Sequence, residues 1–301
     1  MFGPKSSGLD QLLHRPKPSA WESFWKAPST FLAQWLYSRR VIIAAQPISN
    51  PVSVVCVSDT HNRQPNLPEG DILIHAGDLT QSGTFKEVQG TLDWLRDQPF
   101  QYKVVIAGNH DNILDPSRDR YPENPDQRMR LDWGDVAYLE DSSTTLTING
   151  RCIRIYGSPY SPKYGNWAFQ YNRQDNIWAG RIPTDTDVLI THTPPRGHLD
   201  ATQLGCAHLL RELWHVRPRL HIFGHIHAGY GQEWLQFDGL QEAYERIILT
   251  GGRFSNLMYL LYAYACSRFL SPKESRCLLV NPAIIGGLRD EERREPIRVV
   301  I

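Results

Sequence analysis

The chain has no surplus of charge of either sign, because its 32 lysine and arginine residues equal its 32 aspartate and glutamate residues. A general nucleic-acid binder needs a basic surface, since phosphate contacts supply most of its affinity. The sequence therefore predicts no specific nucleic-acid surface.

Cysteine is scarce, and its five residues have no spacing typical of a structural zinc site. Cys56 and Cys152 lie within apolar runs, where we interpret each as a small hydrophobic residue. An odd number of cysteines without a disulfide framework fits a reducing compartment. We therefore predict a cytoplasmic, intracellular location.

No apolar run is long enough for a bilayer. Residues 257–266 (LMYLLYAYAC) are continuously apolar, but a membrane-spanning helix needs about 20 such residues. The N-terminal residues also lack the apolar centre of a secretory signal peptide. The sequence thus predicts neither a transmembrane span nor a signal peptide.

Five short polar motifs each follow a run of apolar, mostly β-branched residues. In chain order the runs and motifs are VSVVCVSDTH (Asp59, His61), DILIHAGD (Asp78), KVVIAGNHD (Asn109, His110, Asp111), DVLITHTPP (His192) and LHIFGHIH (His225, His227). Such runs predict buried strands. In open α/β sheets, the loops after the strands converge on one crevice. We therefore expect these side chains to meet at one place.

The residue types indicate a dinuclear metal site. Carboxylate and amide oxygens mixed with imidazole suit Mn, Fe, Zn, Co or Ni rather than a closed structural zinc site. A carboxylate can bridge two ions, and Asp78 is the natural candidate. Two ions about 3.5–4 Å apart can clamp a phosphate and activate a bridging water, as hydroxide, for in-line attack.

The ordered set D-x-H, G-D, G-N-H-D, H and G-H-x-H resembles the calcineurin-like metallophosphoesterase superfamily. The flanking segments 157–160 (GSPY), 167–169 (WAF), THTPPRGHLD and FGHIHAGYG resemble the subgroup of metallophosphoesterase-domain-containing proteins related to class III cyclic-nucleotide phosphodiesterases. The resemblance covers about residues 52–232 and a final strand near 277–283.

The resemblance implies an α/β fold, in which a two-sheet β-sandwich is flanked by helices (αββα) and carries the metal site at the C-terminal ends of its strands. It implies seven metal ligands: Asp59, His61 and His227 for one ion, Asn109, His192 and His225 for the other, and Asp78 bridging both. His110 resembles the family histidine that does not bind metal and protonates the leaving oxygen. Asp78 and His110 are thus the predicted catalytic residues.

The implied function is metal-dependent hydrolysis of a small phosphodiester, cyclic nucleotides being one class of substrate. Two alternatives stay open, namely a phosphomonoesterase or protein phosphatase, and a non-catalytic metal-binding scaffold. The metal pair would be Mn²⁺ with or without Fe²⁺ or Fe³⁺, or else Zn²⁺, Co²⁺ or Ni²⁺.

Several residues near the motifs have two interpretations. Asn109, His110, His198 and Trp167 are predicted to contact substrate. Trp167 and Phe169 either stack on a base or simply pack. Asp111 either orients His110 or is a solvated loop residue. His75 is interpreted as a satisfied core residue or as one that contacts the ligand residues, His221 is interpreted as structural, and Asn281 resembles a family asparagine near the site.

Local patterns predict several further elements. Apolar residues at 85, 88, 92 and 95 have helical spacing, and CAHLLRELWHV predicts another helix. Asn149-Gly150 lies between two β-rich stretches, DVAYLED-STTLTING and RCIRIYGSP, which predicts hairpin-like pairing around it. The C-terminal tail is interpreted as a solvated segment followed by a docking strand.

We divide the chain into an N-terminal extension at 1–50 and a metallophosphoesterase domain at 51–301, with an apolar insertion at about 233–276. The extension is partly flexible and holds an aromatic, amphipathic helix or two, broken at Pro28. Residues 21–37 either pack on the metallophosphoesterase domain or make peripheral membrane contact, and residues 254–270 either pack inside the protein, form a homodimer, or make peripheral membrane contact.

Overall fold

The computed structural model describes residues 19–40, 42, 49–118, 124–201, 203–269, 275–287 and 291–301. The predicted flexibility of the first residues lies outside this part of the chain. The fold divides into two compact units. A sheet unit spans 42–238 and 272–301, and a helical unit combines 1–41 with 239–271. Most of the predicted extension and most of the predicted insertion thus fall in the same unit.

The sheet unit contains a five-stranded sheet whose central strands are parallel. Its strands are β1 (Ser53–Val57), β2 (Ile72–Ala76), β3 (Tyr102–Ile106), β4 (Val136–Tyr138) and β15 (Ile297–Val300). They are ordered β15-β1-β2-β3-β4, and β15 pairs antiparallel to β1. The predicted docking strand at the C-terminus is therefore confirmed.

A second sheet has six strands. They are β5 (Ser142–Ile148), β6 (Arg151–Ser158), β9 (Val188–Thr191), β10 (Leu220–Ile222), β11 (Gly231–Gln236) and β12 (Arg276–Asn281). The order is β11-β12-β10-β9-β6-β5, with four parallel central strands and an antiparallel strand at each edge. Two short pairs complete the strands, β7 (Ser161–Pro162) with β8 (Gln170–Tyr171) and β13 (Ile285–Gly286) with β14 (Glu292–Arg293).

The two sheets pack face to face around one core. Alternate residues such as Val54 and Ile74 of the first sheet share a buried cluster with Ile155 and Ile190 of the second. The opposite face of the first sheet, with Leu73 among its residues, packs on the helix α3 (Phe85–Arg96). Strands covered on both faces read as continuous apolar runs. The predicted α/β sandwich with flanking helices is confirmed.

The predicted hairpin at Asn149-Gly150 is also confirmed. β5 and β6 pair across it, and both turn residues have left-handed backbone angles, φ 50° and 77°, as a type I′ turn requires. β4 belongs instead to the first sheet, so the chain crosses between the sheets at residues 139–141. The interpretation of Cys152 was wrong, because this strand position faces solvent and not the core.

Two further helices belong to the sheet unit, α4 (Asn124–Met129) and α5 (Ala207–Val216). The latter confirms the helix predicted at CAHLLRELWHV. Single turns of 3₁₀ helix lie at Asn112–Leu114, Pro116–Arg118 and His227–Gly229.

The described part of the helical unit consists of α1 (Ala20–Lys26), α2 (Pro28–Tyr37), α6 (Gly239–Thr250) and α7 (Phe254–Ser267). The predicted break is present, because Pro28 begins α2 at a position where its missing N–H costs nothing. Leu36 and Tyr37 pack against Ile247 and Leu260 in a buried cluster. The apolar insertion thus forms a helix packed within this unit.

One face of α7 packs inside the helical unit and the other carries exposed apolar side chains. Leu260 is fully buried, whereas Phe254, Met258 and Tyr262 are exposed. Membrane contact and homodimer formation through 21–37 or 254–270 stay predictions. Among the helices of the described residues, none is long and apolar enough to cross a membrane.

Candidate metal centre

The predicted ligands lie just beyond the C-terminal ends of five strands, three in one sheet and two in the other. Asp59, Asp78 and Asn109 follow β1, β2 and β3, and His192 and His225 follow β9 and β10. Both sheets therefore contribute to one polar cluster at the same end of the sandwich, as expected for parallel strands.

Within the described residues, three overlapping groups place one possible ligand atom per residue within 4.8 Å of the others. The groups are Asp59 with His61 and His227, His61 with Asp78 and His110, and Asp78 with His192 and His225. Asn109 joins the last group, because its Oδ1 lies 3.0 Å from His192 Nε2. The structure thus brings together all seven predicted ligands, with Asp78 shared between two groups.

Asp78 lies at the centre of the cluster. Its Oδ2 is 3.3 Å from His192 Nε2 and 3.9 Å from His61 Nε2, and its Oδ1 accepts a hydrogen bond of 2.8 Å from the His110 backbone N–H. Burial favours the neutral acid, but His192, His61 and His110 together outweigh it and hold the pKa of Asp78 well below its usual value. Asp78 is therefore a buried carboxylate in reach of both halves of the site.

Asp59 links the first and the last ligand loops. Its carboxylate accepts hydrogen bonds from Ser58 Oγ (2.6 Å) and the His225 backbone N–H (2.9 Å), and lies 3.5 Å from His227 Nε2. Burial acts to raise its pKa, but His227 and His192 together lower it further than burial raises it. Asp59 is thus also held as a carboxylate.

The surroundings of His61 indicate whether this cluster suits metal ions. Both of its ring nitrogens are buried, and neither has a hydrogen-bond partner in the described structure. A buried polar atom without a partner is costly, and a metal ion would supply the missing contact. Burial also lowers the pKa of His61, and that of His225 to about 4. Both are therefore neutral imidazoles at pH 7, the form that binds metals. The residues fit the metal pair.

His192 is oriented by the backbone. Its Nδ1 lies 3.1 Å from the Ala76 carbonyl oxygen, which only accepts, so Nδ1 carries a proton and Nε2 faces Asn109 and Asp78. Burial opposes protonation, but Asp78, Asp59 and the Ala76 carbonyl together outweigh it and raise the pKa of His192 to about 9. A metal ion at Nε2 would replace that second proton.

Four predicted ligands have left-handed backbone angles that side chains rarely adopt. They are Asp59 (φ 50°), His61 (φ 44°), Asp78 (φ 51°) and His225 (φ 67°). Each such residue costs about 1–3 kcal/mol, and such residues concentrate at functional sites. The strain is held locally, since the Asp59 and His61 N–H groups bond to the carbonyls of Gly77 and Asp78.

Two motif glycines leave room for the ligands. A Cβ on Gly108 would collide with Asp78 Oδ1, and a Cβ on Gly224 would collide with Asp59 Oδ2. The glycines of G-N-H-D and G-H-x-H are therefore needed because ligand carboxylates pass directly over the backbone.

The structure contradicts both interpretations of Asp111. It is fully buried, and its carboxylate accepts backbone hydrogen bonds from Leu79, Thr80 and Gly108 and another from the Thr80 hydroxyl. It therefore neither orients the His110 ring nor lies in solvent. It joins the loop after β2 to the loop after β3.

His110 lies at the edge of the cluster with its ring fixed from several sides. Its Nδ1 donates to the Gln81 carbonyl oxygen at 2.7 Å, which leaves Nε2 available. The ring stacks on Trp167 at 4.4 Å and meets His61 edge-on at 4.6 Å. Trp167 is 40% exposed, whereas Phe169 is buried in the core. Packing is thus the observed role of Phe169.

His198 is placed differently from the other predicted substrate residues. Its side chain is fully buried, and Nδ1 lies 3.0 Å from Glu233 Oε1 of β11. His198 is not a member of the ligand groups described above, and its contact with substrate stays a prediction.

Two residues that support the site were missed or left open by the sequence. The Arg294 guanidinium donates to the His227 carbonyl oxygen, and Asn281 donates to the carbonyls of Leu199 and Ile226. Both hold the last ligand loop from segments far along the chain. In the sequence, the role of Asn281 was signalled only by its likeness to a family asparagine. No sequence pattern signalled the role of Arg294.

The family model described as calcineurin-like phosphoesterase matches residues 52–229, more than half of the 301 residues. The chain therefore belongs to the calcineurin-like phosphoesterase family. The matched region contains every predicted ligand, whereas the helices of 20–37 and 239–267 lie outside it.

The chain is similar to three curated proteins, of which it spans less than two thirds. It is 42% identical over 204 residues to human metallophosphoesterase domain-containing protein 1, covering 59% of this chain and 61% of that protein. It is 38% identical over 199 residues to a UPF0046 protein of Caenorhabditis elegans, covering 60% and 65%. It is 46% identical over 300 residues to an Emericella nidulans protein named probable rhamnogalacturonate lyase C, covering 97% of this chain and 29% of that protein.

Among solved structures, TT1561 of Thermus thermophilus aligns with 61% of this chain and 84% of its own, at 13% identity and a TM-score of 0.42. The family assignment rests on the sequence match.

Proposed function

We propose that this protein is a metal-dependent phosphodiesterase that hydrolyses a small phosphodiester, with cyclic nucleotides as one candidate class. The observation that carries the proposal is the buried cluster of three overlapping ligand groups, in which His61 has two ring nitrogens without hydrogen-bond partners. His110, a member of the group with His61 and Asp78, holds its Nδ1 on the Gln81 carbonyl and has its Nε2 available.

Each half of the cluster offers a mixed oxygen and nitrogen donor set. Asp59, His61 and His227 would hold one ion, and His192, His225 and Asn109 the other, with Asp78 between them. Mn²⁺ with or without iron suits such a set, as do Zn²⁺, Co²⁺ and Ni²⁺. When bound, the ions would supply an activated water and positive charge facing the phosphate.

The chain's own residues supply orientation and a proton. The Nδ1–H of His110 is committed to the Gln81 carbonyl, so Nε2 is the atom that can carry a proton to the leaving oxygen. Trp167, stacked on His110, prevents the ring from turning away. Asn109 precedes His110 in the same loop and would contact the phosphate beside it.

The preference for diesters is supported by the likeness of the flanking segments to class III cyclic-nucleotide phosphodiesterases. It is also supported by the half-exposed Trp167 beside His110, which gives an aromatic edge for a nucleoside. We assign no substrate contact to His198, whose imidazole is engaged with Glu233.

The test compares hydrolysis of bis(p-nitrophenyl) phosphate and p-nitrophenyl phosphate by metal-stripped protein reloaded with Mn²⁺. The controls are the unloaded protein and Asp78→Ala, with bound metal counted by elemental analysis in each sample. We expect metal-dependent diester hydrolysis that is absent in the variant. Cyclic nucleotides would then be screened as substrates.

Other outcomes would replace the proposal. Faster monoester than diester hydrolysis would indicate a phosphomonoesterase or protein phosphatase. Two bound metal ions in a folded protein without turnover of either ester would indicate a non-catalytic scaffold.

A further inference from the structure

Two buried histidines outside the ligand set occupy equivalent places in the two sheets. His75 lies near the end of β2, beside β1, and His221 lies in β10, beside β9. Both are fully buried. Neither belongs to the clustered ligand groups found in the described residues, so the proposed reaction does not use them.

Each histidine contacts a threonine next to predicted ligands. His75 Nε2 lies 2.9 Å from the hydroxyl of Thr60, which separates Asp59 from His61. His221 Nε2 lies 2.8 Å from the hydroxyl of Thr191, which precedes His192. In each case a neighbouring strand reaches a ligand loop through one side-chain contact.

The direction of these hydrogen bonds follows from counting protons. The Thr60 hydroxyl donates to the Leu79 carbonyl oxygen (3.2 Å), and the Thr191 hydroxyl donates to the Thr193 carbonyl oxygen (2.7 Å). A hydroxyl has one proton, so a threonine that donates to the carbonyl accepts from its histidine, and the reverse direction would leave a buried Nδ1–H without an acceptor. Both histidines therefore carry the proton on Nε2.

The other ring nitrogen has no hydrogen-bond partner in either case among the residues described. A second proton would have to sit on this buried Nδ1 without an acceptor. Burial accordingly lowers the pKa of His75 to about 4 and that of His221 to about 3. Each of the two histidines is thus neutral and donates one hydrogen bond, from Nε2. His61 differs, because neither of its ring nitrogens has a hydrogen-bond partner in the described part of the chain.

We infer that His75 and His221 are paired positioning residues, each of which fixes one half of the metal centre through the hydroxyl of a threonine. His75 acts through Thr60 on Asp59 and His61, both of which have left-handed backbone angles. His221 acts through Thr191 on His192. The inference rests on the proposed function only in taking the cluster to be a metal centre.

The experiment measures metal binding rather than turnover. Metal-stripped wild type, His75→Leu and His75→Gln, with the matched pair His221→Leu and His221→Gln, are equilibrated with buffered free Mn²⁺ or Zn²⁺, and the bound ions are counted. Glutamine retains an N–H near the position of Nε2, whereas leucine removes the donor at similar volume.

We expect each leucine variant to bind one of its two ions about 10–100-fold more weakly, and each glutamine variant to recover most of this loss. Adding Thr60→Val should weaken binding less in His75→Leu than in wild type, because both changes interrupt the same contact and only the loss of the Thr60–Leu79 hydrogen bond is additional. Co²⁺ spectra should show a different ion perturbed in the two leucine variants. Circular dichroism establishes that each variant is folded.

Equal weakening of both ions in each leucine variant would overturn the inference, as would equal behaviour of leucine and glutamine. Long-range ¹H–¹⁵N spectra of metal-free wild type test the contact independently. A proton on Nδ1 of either histidine would overturn it. Wild type that binds two ions without hydrolysing any ester would contradict the proposed function but leave this inference standing. Variants that unfold are replaced by Thr60→Val and Thr191→Val, which interrupt the same contacts.

Discussion

Both units bury a network of polar side chains, but only one of these networks is complete in its hydrogen bonds. In the helical unit, the Tyr37 hydroxyl donates to Gln241 Oε1 (2.5 Å), and Gln241 Nε2 donates to Glu245 Oε1 (2.6 Å). In the sheet unit, the buried nitrogens of His61 have no hydrogen-bond partner in the described structure.

This difference separates a structural polar network from a binding site. A buried network whose members bond to one another stabilises one packing arrangement. A buried cluster with unpartnered atoms is held in place by the surrounding fold and is completed by what it binds. The four strained ligand residues agree with this view, since strain of this kind concentrates at functional sites.

His110 gives the largest expected effect, because it separates ligands from proton donors within the cluster. We expect His110→Ala to lower turnover of a phosphodiester by about 10²–10⁴-fold, the usual contribution of a positioned general acid, while two metal ions remain bound. Steady-state kinetics and metal counting on the same sample check this. Loss of one ion would make His110 a ligand and remove the proposed proton donor.

His61→Leu tests the polar network that lacks hydrogen-bond partners. The variant should lose the stabilisation that bound metal gives, about 2.7 kcal/mol at a metal concentration 100 times the dissociation constant. Without metal it should be as stable as wild type or more so, because the change removes two buried, unpartnered nitrogens. Urea unfolding with and without Mn²⁺ measures both quantities. A metal-free variant that is clearly less stable than wild type would contradict the comparison.

Gln241→Leu tests the hydrogen-bonded polar network in the helical unit. It leaves Tyr37 and Glu245 without the Gln241 contacts, and we expect the free energy of unfolding to fall by about 1–3 kcal/mol. Gln34→Leu, at an exposed position of α2, is the matched control and should change it by less than about 0.5 kcal/mol. Denaturation followed by circular dichroism distinguishes them. Equal effects would show that the buried contacts add nothing.

The smallest effect concerns pH. Burial lowers the pKa of His221 to about 3, whereas an unfolded histidine titrates near pH 6.5. Below about pH 6.5 the unfolded chain therefore binds more protons, so the stability of the metal-free protein falls as pH falls, by about 1.4 kcal/mol per unit for this group. Urea unfolding at pH 7 and pH 5 should show a smaller decrease in His221→Gln. An identical decrease in both would place the titration elsewhere.

Local sequence patterns predicted much of the fold. The apolar runs predicted the strands β1, β2, β3, β9 and β10, because strands covered on both faces need apolar side chains throughout. Asn149-Gly150 predicted its hairpin, because few residue pairs tolerate two left-handed angles. Pro28 predicted a helix boundary for a similarly local reason.

Long-range contacts were not predictable in the same way. Nothing local relates residues 20–37 to 239–267, although their helices share one buried core. Nor does sequence spacing show that Asp111 joins two loops, or that Arg294 reaches the His227 carbonyl from 67 residues away.

The sequence by itself determined which residue types end the strands, and hence the family and the expected metal ligands. Only the tertiary structure decided that both ring nitrogens of His61 lack a hydrogen-bond partner among the described residues, whereas His75 and His221 each donate to a threonine through Nε2. His61, His75 and His221 all lie within or just beyond similar apolar runs. They differ because a ligand atom is defined by what surrounds it in three dimensions, and hydrogen-bond partners come from other strands and loops.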